Sequence, residues 1–148
     1  MAAETLYNVE ILRLAASIAH HDRLSDPMGT AERRSPICGS RVTVDVDLGE
    51  DGRVSRVGLK VRACALGQAS SALLAAEVLG RTPAELAAAR DALTEWLDAG
   101  EGPPPEWPGL AALSPALGYT ARHPSIRLAF EAAAEAAGQA TSVRRDAG

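Results

Sequence analysis

Lysine is almost missing from this chain. Lys60 is the only one, so 14 of the 15 Lys and Arg residues are arginine. That bias, together with heavy use of alanine, points to a GC-rich bacterial genome. Aromatics are also scarce, at 3% of 148 residues, so the core is expected to be built from Ala, Leu, Val and Ile. There are only two cysteines, Cys38 and Cys64. A chain of this length buries about 70% of its unfolded surface and needs no disulfide staple. No apolar run approaches the roughly 18–20 residues that span a bilayer. The first residues, Met1 to Thr5, lack the basic-then-apolar order of a secretory signal. These absences predict a soluble, cytoplasmic protein with no membrane partner, whose two cysteines stay reduced. Basic residues form no stripe interleaved with aromatics and net charge is −4, which argues against nucleic acid. Walker, Gly-x-Gly-x-x-Gly and Ser–His–Asp motifs are absent.

What remains is a globular balance, 47% hydrophobic and 23% charged. It suits one domain over residues 1–148, with 139–148 as a flexible tail. Tyr7, Ile11, Leu14 and Ile18 recur at helical spacing and predict a helix over 5–20. Residues 21–37 are polar and turn-rich. From Arg41 the period changes to two: Val42, Val44, Val46 and Leu48 alternate with polar residues, which predicts a half-buried strand. Asp51-Gly52 marks a turn, and Val57, Leu59, Val61 and Ala63 form the returning strand. Helices follow over 65–79 and from Thr82 to Gly100, the second announced by Pro83 and a Thr82–Glu85 capping box. Residues 100–121 carry five prolines and predict a long connection, of a length that is often functional. A last helix is expected from Ser125 to about Ala137. The fold class is therefore α+β: a small antiparallel sheet of about three strands, the third drawn from residues 28–37, covered by helices.

Hairpin pairing brings Cys38, just before the first long strand, close to Cys64, just after the second. Cys64 also opens a helix, whose free N–H groups suit an anionic sulfur. The alternative is that both are small buried cysteines, a common fate for free thiols. By strand parity Cys64 shares a face with Lys60 and Arg62. Ser70 and Ser71 lie inside a helix, where packing or a bond to a backbone carbonyl accounts for them.

Ser-Pro-Ile-Cys-Gly-Ser (35–40), then strand–turn–strand, then Arg-Ala-Cys-Ala-Leu-Gly-Gln-Ala-Ser-Ser (62–71), resembles the U-type iron–sulfur cluster assembly scaffolds: IscU, SufU and the N-terminal domain of NifU. The resemblance covers roughly residues 5–138, and the proline-rich stretch before the last helix is closer to the SufU branch. It implies a non-enzymatic scaffold or carrier that binds iron and sulfur through Cys38 and Cys64. It would receive sulfur from a cysteine desulfurase and pass a cluster to acceptor apoproteins. The cargo would be a [2Fe–2S] cluster, or zinc in its place.

The departures bear on the ligand set. The aspartate that follows Cys-Gly in the family is Ser40. The third cysteine, at the start of the last helix, is replaced; the spacing expected here puts Ala129 or Phe130 in its place. His123 lies nearby and is a candidate ligand beside Ser40, and Asp22, Asp26 and Glu32 could approach from the loop. His20 and His21 are expected at the end of the first helix. With two thiolates per chain, a [2Fe–2S] cluster needing four ligands would require a homodimer. A sulfur acceptor working through a persulfide, and a paralogue that acts through partners without metal, are the rival readings.

Overall fold

The computed structural model describes residues 8–36 and 39–147. In chain order the elements are α1 (Val9–Ala15), β1 (Gly29–Arg34), β2 (Arg41–Leu48), β3 (Val54–Arg62), α2 (Ala65–Glu77), α3 (Pro83–Ala99) and α4 (His123–Ala147). Two 3-10 segments, Leu110–Ala116 and Thr120–Arg122, precede α4. The strands form one antiparallel sheet in the order β1-β2-β3. The expected three-stranded α+β architecture is what the chain adopts.

Alternation builds the sheet. Val42, Val44 and Val46 pair with Val61, Leu59 and Val57, and on β2 all three valines are fully buried. The hairpin closes through Gly49 N–H to the Arg53 carbonyl (2.8 Å), with Gly52 at φ 79°. The third strand arises within the segment expected to supply it. α4 lies across β1 and β2 on the apolar face. Beyond Phe130 its buried face is alanine: Ala132, Ala133, Ala136, Ala137 and Ala140. Small side chains let the helix approach so closely that a Cβ at Gly29 would strike the Ala136 carbonyl. Alanine here sets a distance between helix and sheet, which leucine would widen.

Three expectations need correction. α1 begins after its Asn8 cap and ends at Ala15, well short of residue 20. Residues 5–7, with Tyr7, lie outside the described residues. Residues 16–27 instead form a strap over the polar face of the sheet. His20 sits in the strap at φ 59°, a left-handed conformation, so neither it nor His21 ends a helix. The His20 carbonyl accepts the Leu59 N–H at 2.8 Å, and the strap backbone at Asp22 presses on Gly58. Farther along β3, Val54 N–H donates to the Arg81 carbonyl (2.8 Å), and Gly80 N–H to the Val54 carbonyl (2.9 Å). Lastly, α4 runs to Ala147, so residues 139–147, expected as a flexible tail, are helical. Gly138 does not stop it, because Ala140 is still in the core and Gln139 Oε1 accepts the Thr30 N–H (3.1 Å).

α3 carries the expected capping box, Glu85 N–H to Thr82 Oγ1 at 3.1 Å and Thr82 N–H to Glu85 Oε1 at 3.0 Å. The proline-rich connection is anchored by Trp107. Its indole N–H donates to the Leu73 carbonyl (2.8 Å), its ring meets Phe130 edge-on at 5.3 Å, and Arg81 stacks over it at 4.4 Å. The aromatics are few, but Trp96, Trp107 and Phe130 are all buried. Among the described residues no helix is long and apolar enough to cross a membrane.

Candidate functional site

One end of the sheet gathers the residues of interest. Strand register sets Arg34 opposite Arg41 and Arg41 opposite Arg62, so this row marks the end of all three strands. Beyond it, residues 35–36 leave β1 and residues 39–40 lead into β2. Ser35 N–H donates to the Ser40 carbonyl (2.9 Å), which extends the ladder by one rung, and Gly39 N–H donates to the Ser35 carbonyl (3.3 Å). Gly39 has φ 73°, a conformation that favours glycine. In sequence Cys38 falls within the β1–β2 turn. It lies outside the described residues, as does Ile37.

Cys64 is the N-cap of α2, with extended backbone (φ −66°, ψ 172°) and no side-chain bond to the helix. Its carbonyl accepts the Gln68 N–H at 2.9 Å. No acidic residue occupies the first turn of α2. The parity expectation does not carry through to this residue. β3 ends at Arg62, and Cys64 is half-buried against the edge of the core, whereas Lys60 and Arg62 are exposed.

The sequence reading missed one residue at this end. Ser125, on the first turn of α4, is 1% exposed, and its hydroxyl donates to Ser40 Oγ at 3.2 Å. It also packs against Gly67 on the first turn of α2. A Cβ at Gly67 would stand 3.6 Å from that of Ser125 and 2.7 Å from that of Ala63. Gly67 thus lets the starts of α2 and α4 meet, which sets Ser40 and Ser125 beside the helix that Cys64 opens. Ala129 and Phe130, which the resemblance sets at the position of the family's third cysteine, are each 1% exposed in the core. Among the described residues, Ser125 is the residue of the last helix bonded to the turn's Ser40. Ser70 clasps the same helices, donating to the Ile126 carbonyl at 2.6 Å, and Ser71 bonds back to the Gly67 carbonyl at 2.8 Å. Both hydroxyls are structural, as expected.

The other candidates are engaged elsewhere. His123 is 4% exposed, and its Nε2 lies 3.2 and 3.0 Å from the Ala116 and Leu117 carbonyls, tying the 3-10 segment to α4. Two carbonyl neighbours make Nε2 a hydrogen-bond donor, so that nitrogen is not a ligand. Glu32 pairs with Arg41 (3.4 Å) and Arg34 (3.7 Å). Asp22 and Asp26 belong to the strap.

Among the described residues no three His, Cys, Asp or Glu side chains come together. A closed tetrahedral zinc site takes four Cys, His or carboxylate donors. Cys64 with the hydroxyls of Ser40 and Ser125 does not make one.

No protein-family model matches the chain, and no curated protein matches it. Solved structures do. The crystal structure of a nitrogen-fixing NifU-like protein (N-terminal) from Brucella abortus superposes with a TM-score of 0.89 at 38% identity, covering 96% of this chain and 99% of that one. A candidate iron–sulfur cluster assembly scaffold for the SUF system, from the thermophile Fervidobacterium islandicum, superposes at 0.79 with 18% identity, covering 91% and 98%. The second likeness is one of fold.

Proposed function

Because this chain belongs to the U-type, NifU-like scaffold family, we propose that it is a carrier that holds a transferable [2Fe–2S] cluster through Cys38 and Cys64, shared between two copies. Members of this family are scaffolds rather than enzymes. The observation that carries the proposal is the convergence at the sheet end. The Cys38-bearing turn is closed by Ser35 and Ser40, the helix begun by Cys64 adjoins it, and α4 delivers Ser125 to Ser40. On this reading the hydroxyls of Ser40 and Ser125 stand beside the two thiols that hold the cargo.

That donor set decides the form of the cargo. A neutral hydroxyl is a poor partner for iron or zinc beside a thiolate. One chain therefore offers two strong ligands where a [2Fe–2S] cluster takes four. Two chains related by a two-fold axis offer four, each thiol giving up its proton as the metal binds. A cysteine desulfurase as sulfur source and apoproteins as acceptors complete the proposal, in the cytoplasm. The test is anaerobic reconstitution with ferric iron and sulfide, read by visible absorption and light scattering. A coloured dimer is expected. A coloured monomer would rule out the shared site, and a protein colourless under all conditions would favour a partner-binding paralogue.

A further inference from the structure

The arginine row at the sheet end is an anomaly of charge. Directly paired residues of an antiparallel sheet project to the same face, and like charges placed there repel. Arg34, Arg41 and Arg62 form such a row across all three strands, and Lys60 follows on β3. A single carboxylate, Glu32, serves both Arg34 and Arg41. Lys60 and Arg62 are exposed and have no ion pair among the described residues. The row borders two concavities that share Arg41. One, of about 300 Å³, is lined by Arg23, Glu32, Arg41, Thr43, Lys60 and Arg62. The other, of about 450 Å³, runs along the cysteine-bearing turn past Arg34, Ser35, Pro36 and Gly39. A chain of net charge −4 has thus concentrated unneutralised positive charge on one face, two residues from Cys64.

We propose that Arg34, Arg41, Lys60 and Arg62 form a docking strip for an acidic segment of a partner protein, laid across the strands beside Cys64. Adjacent strands lie about 4.8 Å apart, so the row spans about 10 Å and then turns along β3. A single phosphate reaches two such groups, whereas carboxylates spaced along a polypeptide reach all four. The side chains are long and solvent-exposed, as suits a protein surface that docks and leaves. Glu32 offsets part of the cross-strand repulsion, and a docked acidic segment offsets the rest, which couples docking to local order at the sheet end. The proposal rests on the scaffold reading for its purpose, to bring a protein that delivers or accepts cargo up to the cysteines.

The test uses the metal-free full chain and a fluorescent hexaglutamate peptide at low ionic strength. Saturable binding is expected, weakening steeply with salt and shifting the amide resonances of Arg34, Arg41, Lys60 and Arg62. Arg41→Glu with Arg62→Glu should weaken it by more than tenfold, and Arg13→Glu, on exposed α1, should leave it unchanged. Arg62→Thr serves as a milder variant that keeps the fold. It should bind several-fold more weakly while its Tm holds or rises by about 2 °C, because a like-charge pair is gone. Binding unchanged in these variants would overturn the proposal. So would displacement of the peptide by inorganic phosphate at equal charge, equal affinity for a single-stranded DNA oligomer, or self-association at low salt that the same variants abolish. Reconstitution with iron and sulfide needs no partner, so the arginine variants should form cluster as the parent does. A chain that binds peptide but never forms cluster would refute the scaffold reading alone.

Discussion

Arg23 holds both carboxylate oxygens of Asp45, with Nε to Oδ2 at 2.6 Å and Nη2 to Oδ1 at 3.0 Å, and so fastens the strap to the middle strand. Asp45 is fully buried and also accepts the Leu24 N–H (3.0 Å) and the Thr30 hydroxyl (2.6 Å). Burial alone would raise its pKa, but these bonds and the Arg23 charge outweigh it, so the carboxyl titrates below its ordinary value.

The first prediction follows from that depression. A carboxylate with a lowered folded pKa contributes stability above its unfolded pKa, about 3.9. The contribution is lost as pH falls through the folded value. Asp45→Asn should cost about 2 kcal/mol at pH 7, the scale of hydrogen bonds to a charged group. Urea melts between pH 7 and pH 3 should show the gap between parent and variant closing below about pH 4. A gap that persists undiminished at pH 3 would contradict the assignment.

Gly67 should tolerate no side chain. Its Cβ would stand 2.7 Å from that of Ala63 and 3.3 Å from the Ser125 carbonyl oxygen, so Gly67→Ala must displace Ala63 and crowd the start of α4. A loss of about 1–3 kcal/mol is expected from overpacking, despite alanine's better helix propensity. Thermal melts decide it, and a Tm at or above the parent's would show that the close approach at Gly67 does not constrain the packing of α2.

Restoring ligands should restore a metal site, in a specific register. Ser40→Asp with Ser125→Cys should tighten zinc binding by the monomer more than about 100-fold, since even outer-shell partners carry 10–100-fold. Competition with a chelator measures it. Phe130→Cys should instead empty the core at a cost of about 3 kcal/mol and leave zinc affinity where it was. Tight zinc binding by the unaltered monomer would reveal a ligand not counted among these.

Cys38→Ala and Cys64→Ala should each abolish both the colour and the dimer after reconstitution, because four thiolates across two chains become two. Colour surviving in either variant would place the cargo on other groups.

Much of the architecture was legible because periodicity reports burial locally. The valines of β2, the Asp51-Gly52 turn and the Thr82–Glu85 box each act within a few residues of themselves. The site was less legible because its contacts are not local. Ser125 and Ser40 stand 85 residues apart and meet only through the packing of α2 on α4. Ser125 also precedes the apolar series of Ile126, Phe130 and Ala133, which fixes the face of the helix but not which residue reaches the sheet end. The strap was misread for a related reason: Ile18 continues a helical spacing, but the chain had already been drawn off to cover Gly58. Cys38, legible as a motif, lies outside the described residues.

The strap and the Gly80–Arg81 backbone do more than fasten loops. Between them they engage the outer edge of β3 at Leu59 and Val54, while on the far side Gln139 takes an N–H from β1. Exposed strand edges are where proteins recruit further strands and drift toward fibres. With the β3 margin engaged at both points and β1 only six residues long, with charged residues at its end, the described sheet offers no long template for a fourth strand. Copies that do associate are therefore expected to meet by their faces or ends rather than by adding strand to strand at an edge.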